Sequence, residues 1–236
     1  GSRLVADAAY AGDLGEVKSL VNARADLDQP QESGWTAVMW AAAKGRYDIA
    51  EYLLANGANP HQADAKGTTA LHLASNKATS QVEIVRLLLA HKAAVNAKDQ
   101  DGNTPLLLAQ NPAIIEALVG AGADVNAANK EGLTALFAAS EGGQIPIVKL
   151  LLSKGAKANV KTAGMTPLMA LCNLTKLGAR ITEQAKRTPW NALTAEQKET
   201  AFAALARVEM DEYQGAVGAM LNAQSILITG GTGSFG

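Results

Sequence analysis

The chain is poor in the residues that carry most protein chemistry. Of its 236 residues one is cysteine, Cys172, so no disulfide can close within it and no metal site can be built from cysteine pairs. Aromatic residues make up 4% while apolar residues reach 48%, so a core must be built from Ala, Leu, Val and Ile. Charge of neither sign prevails: 21 Lys and Arg stand against 22 Asp and Glu, a net charge of −1. Neutralising phosphates takes a clustered basic excess, so no nucleic-acid partner is expected. No apolar run approaches the roughly 18 residues that a bilayer span requires, so no membrane partner is expected either. The histidines, His61, His72 and His91, fall at unrelated places in the pattern described below, whereas a metal needs ligands that converge. Carboxylates lie in polar stretches without pairing for acid–base work, and no base accompanies Cys172. The expectation is no catalytic, cofactor-binding or metal-binding residue, and no cofactor. Gly1-Ser2 reads as a protease-cleavage scar. That leaves the compartment open between cytoplasmic and, had a signal peptide preceded it, periplasmic or secreted.

What the chain does have is self-similarity. Gly34-Trp35-Thr36-Ala37-Val38-Met39-Trp40-Ala41-Ala42 is echoed by Gly67-Thr68-Thr69-Ala70-Leu71-His72-Leu73-Ala74. It is echoed again at Gly102-Asn103-Thr104-Pro105-Leu106, Gly132-Leu133-Thr134-Ala135-Leu136 and Gly164-Met165-Thr166-Pro167-Leu168. A second marker recurs at Ala25, Ala58, Ala93, Ala123 and Ala156. Inside each period a Thr opens a short Ala-rich helix as its N-cap, sometimes with Pro at the first helical position. A second helix carries apolar residues at helical spacing, such as Ile84, Val85, Leu88 and Leu89. Small and polar residues then make a tight turn. One such helix pair cannot bury its apolar face alone, so the copies must stack.

This grammar resembles the ankyrin repeat over residues 3–173. The resemblance implies an all-α solenoid of helix–turn–helix units with β-hairpin fingers, and a protein partner bound on its concave face. The copies fall near 3–33, 34–66, 67–101, 102–131, 132–163 and 164–218, the last with an inserted loop at 173–193. The family's His, which ties its loop by hydrogen bonds, is retained at His72 alone; Leu107 stands in its place in the fourth copy, and copies without it are expected to lose some local order. The fourth copy is three residues short near Asn111-Pro112 and the third two longer near Ala78-Thr79-Ser80. Both changes are expected in the loops between helices. Arg3 to Asp7 reads as a polar N-terminal cap, and Cys172 as a small core residue. Ala195 to Met210, opened by a capping box at Thr194 and Gln197, reads as the displaced second helix of the sixth copy.

Residues 219–236 are set apart as an appended tail. Ile226-Leu227-Ile228 followed by Gly230, Gly233 and Gly236 resembles the first strand and glycine loop of nucleotide-sugar dehydratases and epimerases. The helix and ribose-binding acid that complete such a site are lacking, so NAD and NADP are not expected to bind. If ordered, this β-prone strand is expected to be held by protein, including a neighbouring molecule.

The leading functional reading is a non-enzymatic protein–protein interaction module. Its candidate partner-binding residues are Glu32, Ser33, Trp35, Trp40 and Lys44; Lys66, Thr68, Asn76 and Lys77; Gln100, Asp101 and Asn103; and Lys130, Glu131 and Leu133. Trp35 and Trp40 carry two readings. Trp is favoured where partners bind, but both could pack against the region of Tyr10 and Asp7. The basic stretch Lys176 to Arg187 reads as a solvated loop, with partner contact as its second reading. The alternatives are a targeting arm of a nucleotide-sugar oxidoreductase, or a chain whose tail is a fused peptide ligand. The unequal copies argue against a designed consensus binder, and the Ala-rich style looks bacterial.

Overall fold

The computed structural model describes residues 4–76 and 82–173, the last two by backbone alone. The third-copy insertion, Lys77, the side chain of Cys172, the 173–193 loop beyond its first residue, the proposed helix Ala195 to Met210 and the 219–236 tail lie outside the described residues. The helices come in pairs: α1 (Val5–Ala11) and α2 (Leu14–Asn22), α3 (Ala37–Lys44) and α4 (Tyr47–Ala55), α5 (Ala70–Ser75) and α6 (Val82–Ala90), α7 (Pro105–Leu108) and α8 (Pro112–Gly120), α9 (Ala135–Glu141) and α10 (Ile145–Ser153). A further first helix, α11 (Pro167–Asn173), opens the sixth copy. The chain divides into two units, residues Gly1–Lys130 and Glu131–Gly236.

In the first unit the first helices pack in series, α1 on α3, α3 on α5 and α5 on α7. The second helices form a parallel series, α2 on α4, α4 on α6 and α6 on α8. Side-chain size explains the two layers. Ala8, Ala9, Ala41, Ala42 and Ala74 are fully buried and let the first helices approach closely. Ile49, Leu53, Ile84, Leu88, Ile114 and Leu118 are fully buried in the second layer. At about 25 cal/mol per Å2 of apolar area removed from water, the interfaces between copies carry the stability. In the second unit α9 packs against α10 and α11, with Leu136, Val148 and Leu151 buried.

The start of each first helix is set by its Thr. Thr36, Thr69, Thr104, Thr134 and Thr166 each accept a hydrogen bond at Oγ1 from the backbone N–H three residues on, at 3.3 to 3.5 Å. The N-terminal copy does this differently: Asp7 Oδ2 accepts from the Leu4 amide at 3.2 Å. The hairpin fingers are slighter than the resemblance implied. They amount to tight turns with isolated bridges, such as Ala63 with Thr69 and Thr162 with Met165. Turn meets turn through the backbone: Gln100 N–H donates to Lys66 O at 2.7 Å, and Lys130 N–H to Asp101 O at 2.9 Å. Gly67 shows why the turn needs glycine. Its φ is +74°, and a Cβ there would sit 3.1 Å from the backbone of Asp99.

The shortened fourth copy is absorbed in an unexpected place. Asn111 Oδ1 caps α8 by accepting from the Ala113 amide at 2.9 Å, and Pro112 takes the first helical position. That fixes the start of the second helix, so the missing residues come off the first, and α7 keeps only 4 residues. Leu106 is still buried, and α7 packs against α5 and α8.

Candidate functional site

The densest chemistry on the face of turns and first helices lies in the first two copies. Trp40, on α3, puts its ring 4.7 Å from that of Tyr10, on α1, in an edge-to-face arrangement at 71°. Trp35, in the turn, lies 4.5 Å from Trp40 at 54°. The first geometry is one that ring quadrupoles favour. The amphipathic ends are anchored. Trp40 Nε1 donates to Gln31 Oε1 at 2.7 Å, and Gln31 Nε2 in turn donates to Asp7 Oδ1. Trp35 Nε1 donates to Asp64 Oδ2 at 3.0 Å, reaching the following turn. Lys44, four residues after Trp40 on α3, holds its ammonium 4.9 Å from the Tyr10 ring centre and 5.8 Å from that of Trp40.

The turns before Gly67 and Gly102 each have a hub residue three positions before the glycine. Asp64 Oδ1 accepts from the amides of Lys66 and Thr68, both at 2.9 Å. Asp99 does the same for Asp101 and Asn103. Burial works to raise the Asp64 carboxyl, but the bonds from Thr68, Trp35 and Lys66 outweigh it and hold the group below its ordinary value. Asp99 is lowered in the same way: burial opposes ionisation, and donors from Asn103 and Asp101 overcome it. His72 is the counterpart in the third copy's first helix. Its Nδ1 accepts from the Thr69 amide at 3.2 Å and lies 2.8 Å from the Thr69 hydroxyl. Its Nε2 donates to the Asn103 carbonyl at 3.0 Å, tying the third copy to the fourth. Burial lowers the imidazole below its usual value, against the opposing pull of the Asn103 carbonyl and Asp99.

The residues singled out from sequence divide on this geometry. Trp35, Trp40 and Lys44 come together. Glu32 and Ser33 are exposed on the adjoining turn, and Lys66, Gln100, Asp101 and Lys130 are exposed on later turns of the first unit. Thr68 is half-buried, its amide held by Asp64. Asn103 faces inward: its Nδ2 donates to Asp99 at 3.0 Å and its Oδ1 accepts from Asn129 at 2.9 Å. Asn76 ends α5, exposed. In the second unit Glu131 is exposed and Leu133 half-buried. Sequence reasoning missed Gln31 and Asp64. Their signal was the register: Gln31, Asp64, Asp99 and Asn129 all stand three residues before a repeat glycine.

Among the described residues no three potential ligands gather for a metal ion, and no helix is long and apolar enough to cross a membrane. The chain matches the family described as ankyrin repeats (3 copies) over residues 4–64, 56–129 and 106–178. Among curated proteins it is similar to the target of rapamycin complex 2 subunit AVO2 of Saccharomyces cerevisiae, 31% identical over 155 residues, 63% of this chain and 36% of that protein. It is also similar to the palmitoyltransferase AKR1 of Lachancea kluyveri, 34% identical over 156 residues, 64% of this chain and 21% of that protein. With the RelA-associated inhibitor of Mus musculus it shares 40% identity over 73 residues, 31% of this chain and 9% of that protein. It thus spans about a third or less of these relatives' lengths. The repeat register, the Thr-capped first helices and the turn-to-turn hydrogen bonds are accounted for together by the family match: the chain belongs to the ankyrin-repeat family.

Proposed function

We propose that the chain is a non-enzymatic interaction module that binds a protein partner on the face made by its turns and first helices. The observation that carries this is the aromatic cluster of the first two copies. Tyr10 is 50% exposed in a chain with few aromatic residues, and it meets half-buried Trp40, which in turn meets half-buried Trp35. Aromatic residues held rigid by their neighbours supply contact area at little conformational cost, which is the character of binding hot spots. Glu32, Ser33 and Lys44 rim the cluster, and the exposed turn residues Lys66, Gln100 and Asp101 extend the polar surface along the first unit. Ankyrin-repeat proteins are generally non-enzymatic, and the site presents polar atoms engaged with one another rather than converging on a reacting centre. One of the relatives is named a palmitoyltransferase, but the match spans only 21% of its length. The nucleotide-sugar oxidoreductase alternative rests on residues 219–236, beyond the family match at residue 178, and is not favoured.

The test is affinity capture with the intact chain and three variants. Tyr10→Ala and Trp40→Ala should weaken capture of a specific partner by about 2 kcal/mol or more, roughly thirtyfold, while Glu51→Ala on the second-helix surface leaves it unchanged. Equal capture by all four proteins would sink the assignment of this face. Loss of several kcal/mol of stability in the Trp40 variant, as for truncation of a core aromatic, would assign that ring to packing instead.

A further inference from the structure

The corner formed by Tyr10 and Trp40 already holds a cation. Lys44 sends its ammonium to within 4.9 and 5.8 Å of the two ring centres. The rings meet at 71° instead of stacking flat, and the ammonium lies over both of them. The surroundings favour positive charge. Two carboxylates are tied to the cluster: Asp64 accepts from Trp35 Nε1, and Asp7 accepts from the Gln31 amide whose oxygen accepts from Trp40 Nε1. Glu32 is exposed on the same turn. Arg46, the other nearby cation, lies over the Gly12 backbone, its guanidinium 2.8 Å from where a Cβ would stand. Lys44 itself is exposed and holds on by a surface cation–π contact, which is weak. An incoming cation with the same chemistry can therefore take its place.

We infer that this corner is the seat for a Lys or Arg side chain of the partner protein, and that Lys44 is a resident occupant that the partner displaces. The inference rests on the proposed interaction face and adds the chemistry of what binds there. It predicts an effect opposite to that of an ordinary contact residue: removing Lys44 should improve binding of a cation, because the seat is then empty.

The experiment titrates the full chain with tetramethylammonium chloride and with a short capped peptide containing one lysine. Indole N–H resonances of Trp35 and Trp40 are followed by nuclear magnetic resonance. A neutral isostere, in which a tert-butyl group replaces the ammonium, serves as control. Saturable shifts at Trp40 are expected for both cations and not for the isostere. Lys44→Ala should tighten binding about two- to fivefold, the weight of one exposed cation–π contact. Tyr10→Ala should abolish it, and Tyr10→Phe, which keeps the ring, should retain it. The inference is overturned by unchanged or weaker binding in Lys44→Ala, by an equal response to the isostere, or by Trp40 shifts that persist in Tyr10→Ala. Partner capture that depends on Tyr10 and Trp40 but shows none of these cation effects would leave the interaction face standing and remove only the cation seat.

Discussion

Ser75 and Ser140 are fully buried, and neither hydroxyl has a hydrogen-bond partner among the described residues. The first two copies carry Ala9 and Ala42 at the equivalent place, equally buried. A buried hydroxyl without a partner costs its desolvation and returns nothing. Ser75→Ala and Ser140→Ala should each raise stability by about 1 kcal/mol, read as an upward shift of the urea midpoint with the slope unchanged. A lower midpoint would mean that the hydroxyls are satisfied. At the same scale, the sequence made Trp35, Trp40 and Lys44 visible as candidates, because aromatic residues are scarce and the repeat register places these three at surface positions. It hid what the indoles do. Nothing in the residue type of Gln31 announces that its amide bridges Trp40 to Asp7, because that bond depends on how α1 and α3 are set against each other.

Within an element the informative position is the second residue after each second helix. Gly57, Gly122 and Gly155 have φ near +90° there, whereas Arg24 and Lys92 are forced to φ of 60° and 62°. A side chain in the left-handed region is strained, and glycine relieves it at some cost in unfolded-state entropy. Lys92→Gly is therefore expected to stabilise by up to about 1 kcal/mol, and Gly57→Ala to destabilise by a similar amount. Thermal unfolding of the two variants decides it; a stabilised Gly57→Ala would show that this turn is not constrained. Gly67→Ala should cost more, on the order of 1–3 kcal/mol, since strain is joined there by the close approach of the Asp99 backbone. The helix pairs were legible because apolar periodicity and Thr caps agree from the second copy to the fifth. The four-residue α7 was not. A length deficit can be read from glycine spacing, but where it falls depends on Asn111 and Pro112 competing with α7 for the same stretch of chain. The slight fingers were equally hidden: Gly and Asp mark a turn, not how many backbone pairs flank it. The expected loss of local order at Leu107 does not reach the helix cap, where Thr104 still accepts from the Leu107 amide at 3.3 Å.

For the whole molecule, stability depends on links between copies, and one of them titrates. His72 is 1% exposed and joins the third copy to the fourth through Asn103. Its Nδ1 can accept from Thr69 only while unprotonated, since the Nε2 proton is committed to the carbonyl. With the folded pKa below the unfolded value of about 6.5, the unfolded chain takes up the proton first as pH falls. Stability from neutral His72 is thus complete above about pH 6.5 and declines below it, towards the folded pKa. Asp64 and Asp99 act in a lower window. Their folded values lie below the unfolded 3.8, so their contribution is present above that value and is lost as pH falls through the folded ones. The expected profile has two descents, one starting near neutrality and one below about pH 4. Substituting His72→Leu, the residue its fourth-copy counterpart Leu107 already uses, should lower stability at pH 7.5 by removing the tie to Asn103. It should also flatten the slope between pH 7 and 5, so that mutant and parent converge as the medium becomes acidic. Urea unfolding at pH 7.5, 6.0 and 5.0 gives both quantities. A parallel slope in the variant would deny His72 its role as the acid-sensitive link.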